Sequence, residues 1–136
     1  METEIHEGGC LCGAVRYRAQ GVPASTNLCH CTQCRRQTGS AMPAFATWPR
    51  DQVELLRGTP AAYAATPAAE RSFCASCGST LFWRRHASGD VDVFLGTLDR
   101  PERIRPPDFE LWTVHRQPWV APVPGATQRR EGMSED

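Results

Sequence analysis

The sequence predicts an all-β fold in a single domain. Three observations carry this. Apolar residues fall in short segments that alternate between two faces, and those segments are rich in β-branched and aromatic residues. Eleven glycines and 11 prolines, scattered through 136 residues, punctuate them. The length fits one domain, and the 40% hydrophobic content fits a modest core that a bound metal would reinforce.

Taken in order, "AVRYRA" (14–19) puts Val15 and Tyr17 on one face and Arg16 and Arg18 on the other. "MPAFATW" (42–48), "QVELL" (52–56), "STLFWRR" (79–85) and "ELWTVH" (110–115) have the length and composition of strands. "DVDVFLGTL" (90–98) groups Val91, Val93 and Leu95. Only residues 66–71 suggest a helix. The domain is expected over 1–124, with "GATQRREGMSED" (125–136) as a polar, disordered tail.

Formal charge is zero, without the basic footprint of a nucleic-acid binder. The 15 basic residues are all arginine, which excludes Schiff-base and P-loop lysine chemistry. No stretch approaches the roughly 18 apolar residues of a membrane span, and "METEIHEGG" has no apolar signal core. Seven cysteines, an odd number, argue against a closed disulfide framework. A cytoplasmic, reduced protein is expected, with no nucleic-acid or membrane partner, whose cysteines bind metal or do chemistry.

Those cysteines form three groups: Cys10 and Cys12, then Cys29, Cys31 and Cys34, then Cys74 and Cys77. Gly13 follows Cys12 and Gly78 follows Cys77, whereas Arg35 follows Cys34. A glycine after a ligand cysteine allows a sharp turn that aims backbone N–H groups at the sulfurs. Cys10, Cys12, Cys74 and Cys77 are therefore paired as a closed four-thiolate site, the composition of structural zinc. Cys29, Cys31 and Cys34 remain, and three protein ligands with one exchangeable position is how catalytic zinc is built. In an extended Cys-His-Cys segment the His30 side chain points away from its neighbours, so it is expected beside the site or at the surface. A three-thiolate zinc suits one more soft ligand, an external thiol, better than it suits making hydroxide. The bound thiol would lose its proton and become a nucleophile.

The motifs "GGCLCGAVRY", "CHCTQCRRQTGS", "FCASCGSTLF", "GTLD" and "HRQPW", in this order, resemble the glutathione-dependent formaldehyde-activating enzymes, which share a domain with centromere protein V. The resemblance spans roughly residues 6–122. It implies a β-tent type of sheet assembly stapled by a structural zinc on Cys10, Cys12, Cys74 and Cys77. It implies a second, labile and catalytic zinc on Cys29, Cys31 and Cys34. The reaction it implies joins glutathione and formaldehyde into S-hydroxymethylglutathione, classed as a carbon–sulfur lyase activity. The chain is shorter than the best-known formaldehyde enzymes, so the fold and metal sites transfer more safely than the substrate.

Arg35 and Arg36 are candidates to hold a substrate carboxylate, with solvated surface charge as the plainer reading. Gly39 and Ser40 could form a tight turn presenting a hydroxyl or N–H to the open metal position. Asp99 reads as a turn residue, and Trp112 and Trp119 as the tryptophans nearest a cleft. Two functions compete: an enzyme adding a zinc-activated thiol to a small aldehyde, and a zinc-binding module that carries a thiol or docks a protein without turnover. Sulfoxide reduction needs a cysteine outside the metal sites, and none is left.

Overall fold

The computed structural model describes residues 3–132. It shows the all-β, single-domain class expected from the sequence. The strands are β1 (Ile5–Gly9), β2 (Arg16–Gln20), β3 (Ser25–Cys29), β4 (Ala44–Trp48), β5 (Val53–Arg57), β6 (Ala61–Thr66), β7 (Ala69–Phe73), β8 (Thr80–Arg85), β9 (Val91–Phe94), β10 (Phe109–Leu111) and β11 (Thr127–Gln128), with α1 over Thr32–Thr38. They form a three-stranded sheet, β1-β2-β5, and an eight-stranded sheet, β11-β10-β3-β4-β9-β8-β7-β6. Pairing is antiparallel except that β10 runs parallel to both β3 and β11.

The alternation read from the sequence decides which face goes where. Val15, Tyr17 and Ala19 of the small sheet side pack against Ala46, Trp48, Val93, Phe82 and Leu81 of the large sheet. Trp48 and Tyr17 are fully buried. Each such large side chain contributes about 1.5–3 kcal/mol by leaving water. Their polar ends are satisfied: Trp48 Nε1–H donates to the Gly21 carbonyl at 2.9 Å, and the Tyr17 hydroxyl meets Thr97 Oγ1 at 2.6 Å. The opposite face of the large sheet carries the other side of each alternation, including Cys29, Phe45 and Phe94. This second face builds the candidate site.

Three expectations need correction. Residues 66–71 are not helical but belong to the β6–β7 hairpin, because β7 pairs with a strand on each side and the ladder overrides local helix preference. The helix of the described residues lies instead at Thr32–Thr38, seven residues, too short to give a periodic signal. Its N-cap is Cys31, whose Sγ accepts the Cys34 N–H, and its C-cap is Gly39 at φ 78°. The segment "ELWTVH" is a strand only as far as Leu111. Trp112 then takes φ 57°, rare for a bulky residue, and a 3-10 turn covers Thr113–His115. Within the expected disordered tail, Thr127–Gln128 pair with β10, because Glu110 and Asp108 offer partners to the returning chain; residues 133–136 lie outside the described residues. Among the described residues no helix is long and apolar enough to cross a membrane.

Candidate functional site

The turn after β1 holds Cys10 and Cys12, and the turn between β7 and β8 holds Cys74 and Cys77. The structure brings these four sulfurs within 4.8 Å of one another. Cys10 and Cys12 sulfurs stand 3.6 Å apart, and those of Cys12 and Cys74 3.8 Å. Four sulfurs around an ion at about 2.3 Å would stand roughly 3.8 Å apart, so the set fits a tetrahedral metal ion. Gly13 (φ 82°) and Gly78 (φ 80°) make the two turns, and their N–H groups close onto the Cys10 and Cys74 carbonyls. The donors to sulfur are their neighbours: Val15 N–H to Cys10 at 3.2 Å and Cys77 N–H to Cys74 at 3.5 Å. The Val15 hydrogen bond lowers the Cys10 thiol, and hydrogen bonds from Ser79 bring Cys77 down to about 5.

The second set is built where β3 runs into α1. Cys29 ends the strand, Cys31 caps the helix and Cys34 faces inward from its first turn. Their sulfurs also lie within 4.8 Å of one another. The three thiols compete for charge. Hydrogen bonds from Cys29 and Cys34 hold Cys31 low, and the same contacts push Cys29 high. Only a cation lets all three ionise together. A buried guanidinium stands at one side: Arg71 directs both terminal nitrogens at Cys34 Sγ, at 3.6 and 3.7 Å. Arg71 has no carboxylate partner within salt-bridge distance among the described residues; its other contacts are Gln33 and Gln37.

His30 is fully buried and is not in the sulfur cluster. Its Nε2 lies 2.8 Å from Glu110 Oε1. Glu110 is fully buried as well, and also accepts from Val123 N–H (2.6 Å), Gln128 Nε2 (2.9 Å) and Arg116 (3.2 Å). Burial alone would raise this carboxyl, but the hydrogen bonds from Gln128, His30, Val123 and Arg116 hold it down to about 2. An ionised carboxylate only accepts, so the His30 ring N–H donates. The residue between two ligand-type cysteines is thereby anchored to the C-terminal segment.

A cavity of about 560 Å³ opens over the second set. Cys29, Cys31 and Cys34 line it; none of Cys10, Cys12, Cys74 and Cys77 does. Its walls include Trp83, Trp112 and Leu111, and its floor includes Phe45, Thr47 and Asp92. Burial pushes the Asp92 carboxyl up to about 6, against the Thr47 hydrogen bond. Arg35, Arg36, Gly39 and Ser40 do not line the cavity. The helix that aims Cys34 inward turns Arg35 and Arg36 along its last turn, where they complement the C-terminal dipole. Gly39 N–H is engaged by the Arg35 carbonyl, Ser40 N–H by Thr38 Oγ1 and the Ser40 hydroxyl by Met42 N–H. Trp119 is 73% exposed and away from the cavity, so the tryptophan pair at the cleft is Trp83 and Trp112. Asp99 sits in a loop and pairs bidentately with Arg16 at 2.5 and 2.9 Å.

Sequence reading thus missed Arg71, Trp83, Asp92 and Glu110. Trp83 and Asp92 carry a signal, being polar or amphipathic at positions alternating with core residues. Arg71 carries none, since only strand register places it beside Cys34.

Comparison with known proteins gives concordant results. Residues 5–115 match the family described as glutathione-dependent formaldehyde-activating enzyme. A Schizosaccharomyces pombe protein named an uncharacterised lyase is 35% identical over 78 residues; the match covers 57% of this chain and 56% of that protein, so the chain spans little over half of that relative's length. A Halomonas elongata protein provisionally named glutathione-dependent formaldehyde-activating enzyme is 33% identical over 128 residues, covering 84% of this chain and 78% of that one. Among solved structures, a Rhodobacter sphaeroides protein superposes with a TM-score of 0.59 at 26% identity, covering 68% of this chain and 87% of the other.

Proposed function

The chain belongs to the family of glutathione-dependent formaldehyde-activating enzymes, and on that premise we propose that it adds a thiol such as glutathione to a small aldehyde such as formaldehyde at the Cys29, Cys31 and Cys34 centre. The observation that carries this reading is the contrast between the two sulfur sets: one is turned away from the cavity, the other lines it. All-sulfur donors suit zinc in both, with Cys10, Cys12, Cys74 and Cys77 as the holding site and the other three as the working one. Zinc, when bound there, would lower the proton affinity of an incoming thiol.

The remaining work belongs to the protein. Arg71 offsets the negative charge of the clustered thiolates and offers guanidinium donors to a carboxylate. Trp83 and Trp112 wall the cavity and thin the water around the reacting groups. Glu110, through His30, holds the Cys29–Cys31 backbone in position. In the reaction the thiol proton leaves sulfur, a carbon–sulfur bond forms at the carbonyl carbon, and the carbonyl oxygen takes up a proton. The adduct therefore balances without oxidant or reductant.

Exchange NMR of formaldehyde and glutathione, with and without the zinc-loaded protein, tests the reading. The protein is expected to raise the exchange rate above the spontaneous one, and Cys34→Ser to return it to that level. Binding of glutathione without any rate increase would replace the enzyme reading by that of a thiol carrier.

A further inference from the structure

The cavity has two ends of different chemistry. At one end stand the three cysteines and Arg71. A single cross-strand row leads from Arg71 toward the other. Ser25 lies opposite Thr47, Thr47 opposite Asp92, Asp92 opposite Trp83, and Trp83 opposite Arg71. All five line the cavity. Adjacent strands lie roughly 4.8 Å apart, so Asp92 stands about 10 Å along the row from Arg71, the residue that touches Cys34.

Asp92 is half-buried and held in one rotation by the Thr47 hydroxyl, which donates to Oδ1 at 2.5 Å. Its Oδ2 has no hydrogen-bond donor among the described residues, and the carboxylate has no ion-pair partner there. Arg85 follows Trp83 by two positions and so shares its face of β8; its guanidinium lies 5.4 Å over the Trp83 ring. It too lines the cavity and has no ion-pair partner among the described residues. Asp92 and Arg85 are diagonal cross-strand neighbours, about 7–8 Å apart at the backbone, yet they do not join. A carboxylate and a guanidinium, both free and both facing one cavity, leave room for a ligand group carrying both charges.

We propose that Asp92 and Arg85 form a subsite for the α-amino-acid head of an extended thiol, Asp92 receiving its ammonium and Arg85 its carboxylate. The inference rests on the thiol reading of the three-cysteine centre. An extended γ-glutamyl head reaches roughly 10 Å from the cysteinyl sulfur, long enough to leave the cysteine end and meet side chains farther along the row. An ammonium beside Asp92 also offsets the burial that raises this carboxyl. Free cysteine, with its amino and carboxyl groups next to the thiol, cannot reach both ends.

Calorimetric titration of the zinc-loaded protein with four thiols tests this. Glutathione and γ-glutamylcysteine carry the head; cysteinylglycine and N-acetylcysteine lack it. The first pair is expected to bind about 10-fold more tightly than the second, the value of one charge-assisted contact. Asp92→Asn and Arg85→Gln should each remove that preference and leave cysteinylglycine binding unchanged. Equal wild-type affinity for all four thiols overturns the subsite and leaves the thiol reading standing, and this arm needs no variant to fold. Binding of none of the four overturns both. Loss of all four in Asp92→Asn, with an unchanged melting temperature, places Asp92 at the thiol end and also overturns the subsite.

Discussion

Glu110 shows how one buried charge can organise a site it does not enter. A fully buried carboxylate is tolerable only because four donors from four parts of the chain converge on it. Its depressed pKa makes it a source of pH-dependent stability. The folded value of about 2 lies below the ordinary 4.5, so the stabilisation is complete above roughly pH 4.5 and is lost as pH falls toward 2. The size is on the order of 3 kcal/mol. Glu110→Gln is therefore expected to melt well below wild type at pH 7, and the gap should close as the buffer is taken from pH 5 to pH 2. A gap that stays constant over that range would mean the carboxylate's charge is immaterial. Trp112 is the other residue under local constraint, its left-handed backbone held by its N–H to the Glu131 carbonyl and its ring stacked on His115.

Among the elements, the two metal-competent turns differ in what they join. The first ties the β1–β2 end of the small sheet to the β7–β8 end of the large one, across more than sixty positions of sequence. The second sits within one strand–helix junction. Cys77→Ser should thus lower the melting temperature by roughly 10 °C or more, from a loss of about 3 kcal/mol, while Cys31→Ser shifts it by only a few degrees. Equal losses in thermal melts would show that both sets are structural. The short strands and the grouping of Cys10 and Cys12 with Cys74 and Cys77 were legible because both leave local marks: alternation for the strands, a glycine after the last cysteine of each pair for the turns. α1 was not, since seven residues dominated by cysteine and arginine carry no apolar stripe. Arg71 and Glu110 were not, because register between distant strands, rather than local pattern, puts each one where it is.

For the molecule as a whole, the two sets predict unequal metal retention. Four ligands in a cross-linking site, two of them buried, should hold an ion more firmly than three ligands opening on a cavity. Elemental analysis during a chelator titration should therefore show one equivalent leaving before any cooperative unfolding and the second leaving with it; simultaneous loss would argue against two classes of site. The parallel β3–β10 pairing carries a further consequence, for the order of assembly. Hairpins such as β6–β7 and β7–β8 close over a few residues, on the microsecond scale. Joining β10 to β3 closes a loop spanning 80 positions, as the His30–Glu110 contact measures, and contacts that distant form late. A chain emerging during synthesis therefore holds Cys29, Cys31 and Cys34 long before Leu111 and Trp112 arrive to wall them in. Until the last fifth of the chain, from Phe109 onward, docks, those thiols are accessible to any oxidant or competing ion in the surroundings.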